Sequence, residues 1–270
     1  PVIRAPGVAC RVGLGRLVGV VRIVEVQPEE HPCLWRAPLP AQTLQPLGPP
    51  LPAPGRAPLT SLPAVARIAF SPDGTRLAVA GDTVEFFDVA TRRRVGPSVP
   101  LGSQPITLAF SPDGKTLAVG GAQGNLYLVD LPSGRRRGPL PGLSAFVINA
   151  AFSPDGRRLV ATTQAGHAVV YDHLRRAAPR PTPLPQGRDV SAAKFSPDGS
   201  LLATGSLDGR LRLRDGRTLR PLGPSILTNQ AMIVGIGFSP DGRLLAVADI
   251  HPAVRLVDVA SRQPIGDPFV

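Results

Sequence analysis

The chain has 270 residues, is 43% hydrophobic and carries a formal net charge of +11. Arg22 interrupts its best apolar run, residues 17–26, which is too short to span a bilayer, so no membrane insertion is expected. The positive charge is almost all arginine, Lys115 and Lys194 being the only lysines, and could attract nucleic acid, anionic lipid or an acidic protein. Arginine over lysine beside 33 Pro and 29 Gly reads more simply as a bias of the whole chain than as one binding patch.

Residues 1–63 differ from the rest. Residues 17–24 are rich in β-branched side chains and predict a strand. Residues 28–63 are proline-rich and have no clear period. Within them, residues 43–49 (Thr-Leu-Gln-Pro-Leu-Gly-Pro) match residues 218–224 (Thr-Leu-Arg-Pro-Leu-Gly-Pro), which suggests the last strand of a degenerate or partial unit. Both cysteines, Cys10 and Cys33, fall in this part. No disulfide framework can then hold the remainder, and a reducing, cytoplasmic setting is the expectation. The chain starts at Pro1 rather than Met, and part of a larger protein is expected.

From residue 64 the chain repeats. The string Phe-Ser-Pro-Asp-Gly occurs five times, at 70–74, 110–114, 152–156, 195–199 and 238–242, in steps of 40, 42, 43 and 43 residues. A fixed period of that length marks a repeat architecture. Proline presets φ in a tight turn, aspartate tolerates the next position, and glycine takes the left-handed one that closes it. The turns Pro72-Asp73-Gly74, Pro112-Asp113-Gly114, Pro154-Asp155-Gly156, Pro197-Asp198-Gly199 and Pro240-Asp241-Gly242 therefore join two strands, A and B, in every unit. Third strands C follow at 84–88, 126–130, 168–172, 211–215 and 254–258. Each ends in Asp after Phe87, Val129, Tyr171, Arg214 or Val257. A fourth strand D completes the unit, around Val95 in the first. Four short antiparallel strands cannot bury both faces alone, so the units must stack. The fold class is all-β, and radial stacking of such sheets gives a propeller.

The units resemble WD repeats, whose strand A runs into a Phe-Ser-Pro-Asp-Gly type turn and whose strand C ends in Trp-Asp. The resemblance covers residues 64–270, with blades at about 64–101, 104–143, 146–185, 189–226 and 232–270. No unit has the tryptophan, and only residues 204–209 (Thr-Gly-Ser-Leu-Asp-Gly) carry the family's Ser and Asp between strands B and C. The family's buried Trp–Ser–His–Asp network is thus expected to be missing, leaving packing to the five motif phenylalanines and to Val, Leu, Ile and Ala. Five units and one remnant predict an incomplete ring: a poorly closed arc, or part of a longer chain of about six to eight blades.

Little in the sequence points to catalysis. His31, His167, His173 and His251 are scattered, without metal-ligand spacing to Cys, Asp or Glu. There is no nucleophile elbow and no phosphate-binding loop. No enzyme, cofactor or metal is expected. What the resemblance implies is a non-catalytic scaffold or sensor that binds protein partners, of the kind common in bacterial multidomain signalling proteins. It places the contact surface on the face formed by the B–C and D–A connections, where Gln123, Asn125, His167, Gln186, Arg188, Asn229 and His251 stand. The opposite face, built of A–B and C–D turns, is rich in arginine, and a nucleic-acid or polyanion binder using it is the alternative. Turn arginines such as Arg92, Arg135 and Arg158 otherwise read as solvated, with ion pairs to the turn aspartates. Periplasmic Tol-type propellers share a Pro-Asp-Gly turn, and a ligand-binding propeller of that type is the second alternative.

Overall fold

The computed structural model describes residues 2–5, 8–11, 67–131, 133–174, 179–184, 190–228, 231–250 and 253–269, with side chains from residue 67 onward. The expected strand at 17–24 and the matched segment 43–49 lie outside the described residues. Two compact units are present, Pro1–Pro52 and Ala53–Val270. In the first, β1 (Val2–Ala5) pairs antiparallel with β2 (Val8–Arg11).

The second unit contains five four-stranded antiparallel sheets. Blade 1 holds β3 (Arg67–Phe70), β4 (Arg76–Ala80), β5 (Thr83–Asp88) and β6 (Val99–Pro100). Blade 2 holds β7 (Pro105–Phe110), β8 (Thr116–Gly121), β9 (Leu126–Asp130) and β10 (Arg136–Arg137). Blade 3 holds β11 (Val147–Phe152), β12 (Arg158–Thr163), β13 (Ala168–Asp172) and β14 (Arg180–Pro183). Blade 4 holds β15 (Val190–Phe195), β16 (Leu201–Ser206), β17 (Arg210–Asp215) and β18 (Ile226–Leu227). Blade 5 holds β19 (Ile233–Phe238), β20 (Leu244–Asp249), β21 (Val254–Asp258) and β22 (Pro264–Phe269). Strands run A to D in spatial order within each sheet, as a meander with short connections requires. The paired residues of strand D in blade 1 are Val99–Pro100; nearer Val95 the contact with strand C is an isolated bridge, Arg94 with Phe87, beside which Val95 N–H donates to the Phe86 carbonyl at 2.8 Å. Prolines stand in or beside the outer strands, as Pro100, Pro181, Pro183 and Pro264 do, and remove donors from edges that could otherwise pair with other chains.

All five Pro-Asp-Gly turns form as the sequence predicts. Their glycines have φ between 64° and 72°, the left-handed region that side chains avoid. The serine of the motif, which turn propensity alone does not single out, ties the turn together. In blade 3 the Ser153 Oγ–H donates to Asp155 Oδ1 at 2.5 Å, while Ser153 Oγ accepts the Arg158 N–H at 3.0 Å. Asp155 Oδ1 also accepts the Arg157 N–H at 3.0 Å. The same bonds recur at Ser71, Ser111, Ser196 and Ser239.

Stacking of the blades makes the core. Innermost strands pack in sequence, β3 on β7, β7 on β11, β11 on β15 and β15 on β19. At each seam the forward face of one blade meets the back face of the next. Between blades 4 and 5, Ala203, Leu211 and Leu213 pack on Leu245, Val247 and Val257. Burying such side chains is worth about 1.5–3 kcal/mol each. The motif phenylalanines do less than expected: Phe195 is buried, Phe110, Phe152 and Phe238 are half-buried, and Phe70 is 42% exposed. Strands B and C, with their Leu, Val and Ala, supply most of the buried surface instead.

Candidate interaction faces

Strand direction assigns the connections to two faces. The A–B and C–D turns gather on one, the turn face; the B–C and D–A connections gather on the other, the loop face.

On the turn face the aspartates are held by short local bonds. Hydrogen bonds from Ser71 and Thr75 lower the Asp73 pKa, and those from Ser196 and Ser200 do the same at Asp198. At Asp155, partial burial pushes the carboxyl up, but the Ser153 hydroxyl, the Arg157 N–H and nearby arginines outweigh it. In the C–D turns Thr91, Thr218 and Ser261 serve Asp88, Asp215 and Asp258 likewise. All these carboxylates are ionised and already engaged at neutral pH.

The arginines correct the expectation of solvated turn charges. Four of them reach across seams to backbone carbonyls, one at each seam. Arg136 Nη1 donates to the Pro100 and Leu101 carbonyls, both at 2.8 Å, joining blades 1 and 2, with its guanidinium 4.5 Å from the Tyr127 ring centroid. Arg137 Nη1 donates to Leu174 O at 2.7 Å between blades 2 and 3. Arg158 Nη1 donates to Gly216 O at 2.5 Å and Arg217 O at 2.8 Å between blades 3 and 4, while its Nε pairs with Asp172 at 2.6 Å. Arg262 Nη1 donates to Leu222 O between blades 4 and 5. Guanidinium suits this task because its fixed fork of donors can serve two acceptors at once. A cleft of about 1140 Å³ opens on this face among the turns of blades 2 to 4. Asp113, Asp155, Asp172 and Asp198 line it beside Arg137, Arg157, Arg158 and Arg217, so its charges are balanced.

The loop face is braced by backbone bonds between neighbouring connections. Ala122 N–H donates to Gln104 O at 3.0 Å, Gln164 N–H to Phe146 O at 2.8 Å, Val190 N–H to Gly166 O at 2.9 Å and Ile250 N–H to Met232 O at 2.9 Å. Thr228 N–H donates to Gly209 O at 3.2 Å in the same way. Apolar side chains project from these braced loops: Phe146 is 45% exposed, Leu207 38% and Ile250 62%. Of the residues the sequence assigned to this face, Gln123 is exposed at φ 76° in the short 3₁₀ turn Ala122–Gly124, Asn125 is half-buried, and His167 is exposed. Gln186, Arg188, Asn229 and His251 lie outside the described residues. Polarity guided that choice of residues, and it passed over Phe146, Leu207 and Ile250. The signal available was an apolar residue at a turn position that no strand alternation requires.

Strand C shows two more unread features. Arg214, where the family has tryptophan, is 2% exposed, and its Nη1 donates to Leu219 O at 2.8 Å. Burial, with Arg212 nearby, lowers its pKa. The equivalent Tyr171 is fully buried, its hydroxyl donating to Pro141 O at 2.6 Å, and burial raises its pKa. In the B–C connection of blade 4, the Ser206 hydroxyl donates to Asp208 and accepts from Arg212 Nη1 at 3.1 Å. Among the described residues no group of His, Cys, Asp and Glu could hold a metal ion, and no helix is long and apolar enough to cross a membrane.

The family model for "WD domain, G-beta repeat" matches residues 101–130 and 184–215, which fall in blades 2 and 4. In structure the chain is similar to the β-propeller domain of Myceliophteria thermophila Cps50 (Swd1), with TM-score 0.66 and 21% identity over 75% of this chain and 70% of that one. No curated protein matches it in sequence. The two matched segments carry the WD-repeat pattern, and the fold is that of a WD-repeat β-propeller. Propellers of this class are, in general, protein-interaction scaffolds.

Proposed function

We propose that this chain is a non-catalytic protein-interaction scaffold that engages its partner through the loop face. The observation that carries this reading is the set Phe146, Leu207 and Ile250, apolar side chains held in solvent on braced loops. Partly exposed apolar groups on a rigid support lose little entropy on binding and make effective anchors. The turn face supports a partner less well, because its aspartates are bonded locally and four of its arginines are committed to the seams. A cytoplasmic signalling setting belongs to the same proposal.

Two variants test it. Phe146→Asp/Leu207→Asp/Ile250→Asp changes the loop face, and Lys115→Ser/Arg157→Ser/Arg217→Ser changes the turn face. Both should melt like the parent, since all six side chains are exposed. Proteins captured by the parent should be lost from the loop-face variant, by at least about tenfold in affinity, and retained by the turn-face variant at raised salt. Capture that survives the first change and vanishes with the second would move the site to the turn face and favour a polyanion.

A further inference from the structure

Among the described residues Asp249 is the one buried acid, 8% exposed, and its Oδ1 has no hydrogen-bond partner. A buried polar atom left unbonded is rare in folded proteins, and for a charged group the cost is greater still. The repeat itself does not require an acid here. The residue paired with the start of strand A is Gly121 in blade 2, Thr163 in blade 3, Ser206 in blade 4 and Asp249 in blade 5. Thr163 Oγ1 accepts the His167 N–H at 3.3 Å, and Ser206 Oγ is engaged by Asp208 and Arg212. Register makes Arg255 the counterpart of Arg212, yet no bond from it reaches Asp249 Oδ1.

Placement supplies a reason for the acid. Side chains alternate along β20, so Asp249 lies on the same side as Val247, which packs on Leu211 and Leu213 of blade 4. Its carboxyl therefore stands at the loop-face end of the seam between blades 4 and 5. The B–C connections on either side of that end carry Leu207 and Ile250, 38% and 62% exposed. The acid of the blade 4 connection, Asp208, is already paired with Arg210 at 3.5 Å. A lysine or arginine buries its methylene stem along apolar side chains and carries a charged head beyond them. Leu207 and Ile250 suit the stem, and Asp249 suits the head.

We propose that Asp249 is a recognition residue for a basic side chain of the partner, a lysine or arginine flanked by apolar residues, which enters between Leu207 and Ile250. This rests on the loop-face reading and adds to it the chemistry of the partner. Three immobilised pools of nonapeptides, random except for a central lysine, arginine or norleucine, test it on the 270-residue chain, on Asp249→Asn and on Asp249→Ser. The net charge of +11 disfavours cationic peptides in general, so a preference for them reports a site. The parent should bind the lysine or the arginine pool at least about tenfold better than the norleucine pool, and both variants should lose that preference. Whichever basic pool leads identifies the head group. Both variants should melt at or above the parent, because each removes an acid that the fold leaves unbonded. A parent that binds the three pools equally, or binds none, overturns the proposal; the loop-face reading is then still decided by protein capture with its triple variant. A preference that survives in both variants overturns it as well. So does a lower melt in both, which would place the partner of Asp249 within the fold, on Arg255.

Discussion

Blades 4 and 5 share a strand order, a turn motif and nearly the same apolar pattern, yet differ in burial. In blade 4, strand C is closed on both sides, with Leu211 and Leu213 buried on the forward face and Arg214 buried on the back. In blade 5 only the back face is closed: Val257 is fully buried while Val254 and Leu256 stay half open. Alternation along a strand says that a residue faces one side of the sheet or the other. It cannot say whether that side has a neighbour.

The largest test of this contrast is a pair of identical truncations. Leu213→Ala should cost about 2–5 kcal/mol, the usual range for emptying a closed site. Leu256→Ala, at the equivalent open position, should cost less than half as much, because solvent already reaches it and no full cavity forms. Urea denaturation of the two variants measures both. Equal losses would mean that blade 5 is covered in solution.

A smaller difference should come from adding volume. Gly205→Val drives a side chain into Ile233 and should cost about 1–3 kcal/mol by overpacking. Ala248→Val, its counterpart in blade 5, should stay within about 0.5 kcal/mol of the parent. Thermal melts suffice to separate them.

The smallest effect should be the one that does not distinguish the blades. Asp198 in blade 4 and Asp241 in blade 5 are both lowered, first by the hydroxyl of the motif serine and then by groups beyond the turn glycine. A carboxyl lowered in the folded state stabilises it fully above the unfolded value, near pH 3.9, and loses that contribution as pH falls through the folded value. Stability should therefore hold from neutral pH to about pH 5 and fall below about pH 4. Ser196→Ala and Ser239→Ala should each flatten that acid limb to a similar degree, read from melts across the pH series. A flattening confined to Ser196→Ala would show that the turn depends on its seams as well as on itself.

The repeat period, the all-β class, the five turns and the five C strands were legible in the sequence because local chemistry specifies them. Pro72, Asp73 and Gly74 bend the chain wherever they occur, and the bonds from Ser71 close within a few residues. The same holds for the loop face as a face, since strand direction assigns each connection to one end. Its exposed apolar side chains were not legible. Phe146, Leu207 and Ile250 look like core residues until stacking leaves them outside, and Arg136, Arg137, Arg158 and Arg262 look like solvated charges until a neighbouring carbonyl comes within reach. Tyr171 likewise becomes a buried polar group only once blade 2 lies against it and the Pro141 carbonyl accepts its hydrogen bond, and Arg214, bonded to Leu219 O within its own blade, is buried only by the stacking. Elements joined by bonds of short sequence separation were set by the sequence alone. Contacts some 36 to 59 residues apart, such as the Arg136 and Arg158 latches, were decided by the tertiary structure, because only the stacking of blades brings those carbonyls to the arginines.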